Sequence, residues 1–181
     1  MSDKRQLKKQ QLVDSAVEAL TASGYANSSL RDIASVCKVS LGTLHYYFQD
    51  KNELIVYCVK GYKSVFIDEL MLFFEAVEDR EQAIKGFSEL LSSSIEHNAS
   101  MHRLWYDIRN QAMFDERLRA EVDAMSLDLL RCVRSATKAM QSTLTADSAL
   151  AAIDGLFQYE LSAPNSMHSR QSNFEALLRR L

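Results

Sequence analysis

Residues 29 to 51 bring together side chains that can hydrogen-bond to phosphate groups and to the edges of nucleic-acid bases. Serine, threonine and tyrosine hydroxyls, lysine ammonium groups and an imidazole all make such contacts. We therefore predict that this stretch binds nucleic acid. The candidate contact residues are Ser29, Lys38, Ser40, Leu41, Gly42, Thr43, His45, Tyr46, Tyr47 and Lys51.

Two short helices are predicted to position these side chains, with a tight turn between them at residues 37–39. Ser29 and Asp32 have the spacing of a capping box, which starts the first helix. The second helix begins at Ser40, and Leu44 and Phe48 lie four residues apart on its buried face. Its opposite face is polar and aromatic. The major groove of DNA admits such a helix, and the N-terminal residues of a recognition helix meet base edges there.

The rest of the chain also has helical periodicity, and no stretch alternates with the period of a strand. A single proline and five glycines in 181 residues favour long helices. We predict an all-α protein of about nine helices, with Gly24 as the C-terminal cap of the first. Helices of the body are expected at about 50–77, 79–97, 100–114, 115–140, 145–161 and 171–181.

The charge distribution separates a head from a body. The net charge is −3, but residues 1–51 hold seven Lys/Arg against five Asp/Glu, and residues 52–181 hold 14 against 19. A mildly basic head on an acidic body suits a protein that touches phosphate at one end only. Lys4, Arg5, Lys8 and Lys9 form a basic N-terminal arm, which is either part of this surface or a solvated, frayed end.

Residues 8–60, which include the candidate contact residues, resemble the signature of the TetR family. The matching positions are Ser29, Ile33, Ala34, Val39, Ser40, Gly42, Thr43, Leu44, His45, Tyr46, Tyr47, Phe48 and Lys51. The resemblance implies a homodimeric, three-helix helix-turn-helix DNA-binding domain at residues 1–50 and a ligand-sensing and dimerisation domain at 51–181. It further implies a cytoplasmic repressor of transcription that needs no cofactor. Its partners would be a pseudo-palindromic operator in double-stranded DNA and a small-molecule effector.

Two residues depart from the family pattern. Lys38 replaces the usual turn glycine, so a positive φ there would cost about 1 kcal/mol. His45 occupies a position where many members have tyrosine, which alters the expected reading of bases. Tyr46 and Tyr47 either pack or bond phosphate, and Lys51 is either an idle surface lysine or a phosphate contact.

Aromatic residues and methionines are frequent in the body, where most fill the core. A subset would line an apolar pocket with a few polar groups that orient the ligand. Trp105 and Arg109 suggest such a place, although a surface pair is the simpler explanation. The candidate pocket residues are Tyr62, Phe66, Phe87, Trp105, Tyr106, Arg109, Phe114 and Phe157.

The segment at 145–161 is apolar on two sides, so we expect it to be buried on two sides. A two-fold dimer interface shared with the last helix would satisfy both faces. The candidate interface residues are Ala149, Ala152, Ile153, Leu156, Phe174 and Leu178. Leu181 directly follows an apolar stripe, so the natural C-terminus can lie beyond it.

Other classes of protein find little support. Cys37, Cys58 and Cys132 are scattered and are expected to be reduced thiols. His97 and His102 have no third ligand at metal-site spacing, so no metal site is predicted. No apolar run is long enough to span a membrane. A helical enzyme and a helix-turn-helix that binds only proteins are the competing hypotheses, but no catalytic motif is present.

Overall fold

The computed structural model describes residues 3–23 and 28–181, and the described residues form helices without strands. The prediction of an all-α fold is confirmed. Gly24, the predicted cap, lies outside the described residues. The helices are α1 (Asp3–Ser23), α2 (Leu30–Val36), α3 (Leu41–Tyr47), α4 (Lys51–Ala76), α5 (Arg80–Ala112), α6 (Glu116–Ala139), α7 (Ala146–Ser162) and α8 (Met167–Leu178).

The described chain has eight helices, because the predicted fifth and sixth helices form the single element α5. Asn98 leaves helical geometry at φ −130° and ψ 22°, so α5 is kinked where the sequence predicted a break. The last helix begins at Met167, four residues earlier than predicted, because Ser166 caps it by accepting a hydrogen bond from the Ser169 amide. Similarly, Thr145 caps α7.

The chain divides into two compact units. The first comprises residues 1–62 and 103–122, and the second comprises residues 63–102 and 123–181. Leu20, Ile33, Leu44 and Phe48 are among the most buried side chains of the first unit, and Ile84, Phe87 and Phe174 of the second. No described helix is both long and apolar enough to cross a membrane.

The three cysteines are free thiols. Cys58 and Cys132 are buried, and burial raises the pKa of each thiol to about 12. Cys37 is half-buried, and its pKa is also raised by burial. These thiols therefore stay protonated near neutral pH, where a protonated thiol is a poor nucleophile and metal ligand. The residues described contain no group of three or more His, Cys, Asp or Glu side chains suited to a metal ion.

Candidate nucleic-acid interface

Ser29 starts α2 through the predicted capping box. Its hydroxyl accepts a hydrogen bond from the Asp32 amide at 3.2 Å, and the Asp32 carboxylate accepts one from the Ser29 amide at 2.9 Å. The Ser29 hydroxyl also donates to the Asp32 carboxylate, and this bond, together with the one from the Ser29 amide, lowers the pKa of Asp32 below its usual value. The helix therefore begins with an exposed serine at its N-terminus.

The turn after α2 is a Schellman motif centred on Lys38. The Val39 amide donates to the Ala34 carbonyl at 3.0 Å, and the Lys38 amide donates to the Ser35 carbonyl at 3.1 Å. This geometry requires a left-handed residue, and Lys38 has φ 54°. The lysine therefore occupies a position that glycine fills at lower cost, by about 1 kcal/mol. Its side chain is exposed, as is that of Ser40.

Ser40 caps α3, which carries most of the candidate contacts. Its hydroxyl accepts from the Thr43 amide at 3.0 Å and lies 2.8 Å from the Thr43 hydroxyl. Leu44 and Phe48 are buried as predicted, whereas His45 and Tyr46 are exposed. Tyr47 packs edge-on against Tyr46 with the ring centroids 5.0 Å apart. No side chain in the predicted contact set is buried; Leu41, Thr43, Tyr47 and Lys51 are half-buried and the others exposed.

Two basic residues of α1 contact the recognition unit, by which we mean α2, the turn after it and α3. The Arg5 guanidinium lies 5.1 Å from the centre of the Tyr46 ring. The Lys9 ammonium lies 4.8 Å from the Phe48 ring and 4.1 Å from the Tyr57 ring. The sequence did not decide whether this basic arm belongs to the DNA-binding surface or is a solvated, frayed end. The four-residue spacing of Arg5 and Lys9 nevertheless places both on one face of the helix. These cation–π contacts join α1 to the end of α3 and to α4.

The start of α4 follows the same recognition unit. Asp50 caps it by accepting from the Glu53 amide at 2.9 Å. The Glu53 carboxylate accepts a hydrogen bond from the Gln49 amide at 2.7 Å. In a standard capping box the donor would be the amide of the next residue, Asp50. An acidic groove of about 250 Å³ lies here, and a groove with this charge repels phosphate. It is lined by Gln49, Asp50, Asn52, Glu53, Val56, Asp115, Arg117, Leu118 and Glu121.

The candidate pocket residues fall into both compact units. In the first unit, Arg109 lies over the rings of Trp105 and Tyr106 at 5.6 and 5.5 Å, Trp105 is buried, and Tyr62 is half-buried. Phe114 is 88% exposed in the turn after α5, because the chain leaves the helix at Met113. We therefore do not retain Phe114 as a pocket residue.

In the second unit the structure gathers Phe66 and Phe157 around a residue that we had considered only as a metal ligand. The His102 ring lies 5.8 Å from the Phe66 ring and 4.6 Å from the Phe157 ring. Phe87 packs instead on Phe74 at 5.1 Å. No sequence signal pointed to the contact of His102 with Ser94, because a helix break was predicted between these two residues.

Most of the candidate dimer residues are covered within their own chain. Ala149, Ile153, Phe174 and Leu178 are buried, and Phe174 lies 6.1 Å from the Phe157 ring. The reason is that α7 and α8 pack on each other and bury the faces that carry these side chains. Ala152 and Leu156 are half-buried and therefore remain available to a partner.

A capped second helix that follows a left-handed turn and exposes a polar face is the arrangement of a helix-turn-helix, the motif whose second helix enters the major groove in DNA-binding proteins. The sequence pattern of "Bacterial regulatory proteins, tetR family" matches residues 12–58. The HTH-type transcriptional regulator BetI of Escherichia coli O139:H28 is 27% identical over 158 residues, covering 83% of this chain and 80% of that protein. The fatty acid metabolism regulator protein of Bacillus subtilis is 28% identical over 94 residues, covering 52% of this chain and 47% of that protein.

The solved structure of AibR in complex with isovaleryl coenzyme A and operator DNA shares the fold. Its TM-score is 0.73 at 13% identity, with 95% of this chain and 98% of that chain covered. Over residues 12–58 the chain is therefore similar to the tetR family of bacterial regulatory proteins, and over most of its length it is similar to an HTH-type transcriptional regulator.

Proposed function

We propose that the protein is a homodimeric repressor that binds a pseudo-palindromic operator and is controlled by a small-molecule effector. The DNA-binding part of this proposal rests on the exposed polar and aromatic face of α3. Since chromosomal DNA is its partner, the protein acts in the cytoplasm, and no catalytic step is needed for this role. Residues 1–50 would bind DNA, and residues 51–181 would sense the effector and form the dimer.

The contacts divide by their position on the recognition unit. Thr43 and His45, on the helix that enters the major groove, would read bases. Ser29, Lys38, Ser40, Tyr46, Tyr47 and Lys51 would bond to phosphates, and Leu41 and Gly42 would allow close approach of the helix. Arg5 and Lys9 support this arrangement because they add positive charge beside Tyr46 and Phe48.

Base reading is tested by selecting operator sequences from a random DNA pool. Thr43→Ala and His45→Tyr should change the preferred bases more than the affinity for the best site, because these side chains carry sequence information. Each lost base contact corresponds to about 1–3 kcal/mol of discrimination. Leu72→Ala, an exposed substitution in α4 far along the sequence from the recognition unit, is the control. Selected motifs identical to that of the parent for both test variants would contradict the assignment.

Lys51→Ala should weaken binding to all DNA sequences about equally and reduce the slope of log K against log salt by about one unit. Lys60→Ala is the matched control, since Lys60 lies on the same helix and pairs with Glu121 at 3.1 Å. Fluorescence anisotropy between 50 and 200 mM salt, a range over which affinity falls by about 10³–10⁵ for several phosphate contacts, measures this slope. A protein that binds only other proteins would show no such salt dependence, and the competing hypothesis would then stand.

An effector site in the second unit is supported by the buried aromatic rings of Phe66, Phe87 and Phe157. The similar protein AibR was solved with isovaleryl coenzyme A, which shows that this fold accommodates an organic ligand. Helix α4 contributes residues to both compact units, so a change in its position is a direct route from effector to recognition helix. An effector must bind one position of α4 more tightly than another in order to shift the population.

The dimer interface is supported by the exposed face of α7. Ala151, Gly155, Gln158, Tyr159 and Ser162 are exposed and lie on one side of the helix, with Ala152 and Leu156 beside them. The side chains of this set are uncharged, with Asp147 and Asp154 at its edge, and depletion of charge is typical of interface cores. The small side chains at 151, 152 and 155 allow a second helix to approach closely. We propose that α7 meets its symmetry mate along this face.

A further inference from the structure

Tyr46 lies on the side of α3 that faces away from the core of the first unit. Leu44 is fully buried, and two residues along a helix correspond to a rotation of about 200°, so the Tyr46 side chain points outward. Gly42, four residues earlier, lies on the same outward side and is also exposed. Tyr46 is 65% exposed. Its ring therefore belongs to the surface that meets DNA in the proposed function.

The Arg5 side chain lies against this ring. Its guanidinium carbon is 5.1 Å from the centre of the Tyr46 ring, and the side chain is exposed. A guanidinium that lies over a ring keeps its N–H donors in its own plane, where their fork matches the oxygens of a phosphate. The contact also restrains the arginine before DNA arrives, which reduces the entropy lost on binding. Arg5 can therefore donate to a phosphate that also contacts the Tyr46 hydroxyl.

Lys9 has different surroundings, although it lies only one helical turn after Arg5. Its ammonium is 4.8 Å from the centre of the Phe48 ring and 4.1 Å from that of the Tyr57 ring. The lysine is half-buried, and Phe48 is 1% exposed. The charge of Lys9 is therefore directed at two aromatic rings of its own chain.

Gln6 strengthens the contact that Lys9 makes. Its side-chain amide donates a hydrogen bond to the Tyr57 hydroxyl at 3.2 Å, and the Tyr57 ring packs edge-on against Phe48 with the centroids 5.9 Å apart. Lys9 and Gln6 thus connect α1 both to α4 and to Phe48, the C-terminal cap of α3. Because Phe48 follows Tyr46 by two residues, a contact that holds Phe48 also fixes the end of α3 that carries Tyr46.

We propose that Arg5 and Tyr46 together bind one phosphate of the operator at the C-terminal end of α3, and that Lys9 is a positioning residue that does not touch DNA. The inference rests on the proposed function, in which the exposed face of α3 binds DNA. It goes further by adding Arg5 to the phosphate contacts and by giving two basic residues on one face of α1 separate roles.

Arg5→Gln should weaken operator binding about 10- to 100-fold at about 100 mM salt, because a charge-assisted hydrogen bond is lost. It should also reduce the slope of log K against log salt by about one unit without changing the preferred bases. Arg5→Lys should keep the slope and lose part of the affinity, since an ammonium cannot bind two oxygens as a fork. Lys138→Gln, at an exposed position of α6 in the second unit, is the control. An Arg5→Gln protein with the slope of the parent would overturn the phosphate assignment.

A double-mutant cycle with Arg5→Gln and Tyr46→Leu tests whether the two residues act as a pair. If they share one phosphate, either substitution alone loses most of that contact, and the double variant should bind about as weakly as the weaker single variant. Fluorescence anisotropy on the selected operator measures all four affinities. Two losses that multiply to within about twofold would show that the residues act independently, and the pair would be wrong.

Lys9→Met keeps an unbranched side chain and removes the charge. The affinity of the folded protein for operator should fall severalfold with the salt slope unchanged, and Lys9→Arg should recover most of the loss because it can still lie against both rings. Circular dichroism gives the melting temperature, so that affinities are compared well below it. A lower melting temperature with the affinity of the parent would mean that Lys9 only stabilises the fold. A slope reduced by one unit would place its charge on DNA, and either result overturns the positioning role.

The outcomes separate this inference from the proposed function. If Lys51→Ala reduces the salt slope of operator binding but Arg5→Gln does not, the phosphate contact of Arg5 is wrong and the proposed function stands. If the parent does not bind any selected DNA sequence, the proposed function itself fails, and the inference fails with it.

Discussion

Gly155→Glu will convert the dimer to a monomer and weaken operator binding by about 10²–10⁴-fold, the usual loss when two linked binding events become independent. Gly155 lies on the exposed face of α7 beside the small side chains of Ala151 and Ala152, and a Cβ atom at this position would meet no atom within 4 Å beyond its own stretch of helix. The substitution therefore does not disturb the protomer. In a symmetric interface it places two carboxylates close to each other where small residues should meet.

Gly61→Glu is the matched control, because Gly61 is also an exposed helical glycine with no atom within 4 Å of its added Cβ. Both substitutions should stabilise their helices slightly, since glycine costs about 1 kcal/mol in a helix interior. Light scattering gives the oligomeric state, and fluorescence anisotropy on the selected operator gives the affinity. A Gly155→Glu protein that stays dimeric and binds DNA like the control would show that α7 is not at the interface.

Local signals were the parts of the fold that sequence could predict. The caps at Ser29 and Ser40 depend on one side chain and an amide three residues later, so their spacing is visible in the sequence. The same holds for the periodicity that buries Leu44 and Phe48. The kink at Asn98 was predicted only in part. A break between two helices was expected near this residue, but the hydrogen-bonded helix continues through the kink.

Features that depend on tertiary packing were not predictable. Helical periodicity shows that Phe174 and Leu178 share an apolar face, but not whether α7 or a second chain covers it; in the structure, the protomer itself does. Likewise, Phe114 has the composition of a pocket residue but follows the end of its helix. The burial of Lys63 was not predicted, because a lysine is usually exposed. Only the fold shows that this side chain is buried beside the Phe66 ring.

His102 should make the protein less stable in mild acid. Its side chain is fully buried, and burial, with the Lys63 charge second, lowers the pKa from 6.5 to about 2. In the unfolded chain the imidazole takes up a proton as the pH falls below about 6.5, whereas in the folded chain it does not do so until the pH approaches about 2. The unfolded state therefore binds more protons throughout this window, and the free energy of unfolding decreases as the pH falls.

At pH 5 this single group should remove about 2 kcal/mol of stability relative to pH 7.5, from a total that is typically about 5–15 kcal/mol. His102→Gln removes the titration while its amide can still bond to Ser94, so its stability should fall by about 2 kcal/mol less over the same pH interval. His97→Gln, which replaces an exposed histidine bonded to Ser93, should behave like the parent. Urea unfolding at pH 7.5 and 5.0, at one protein concentration, measures the difference. An equal pH-dependent loss in the parent and in His102→Gln would mean that the imidazole of the folded protein titrates near its ordinary pKa, and that solvent reaches this side chain.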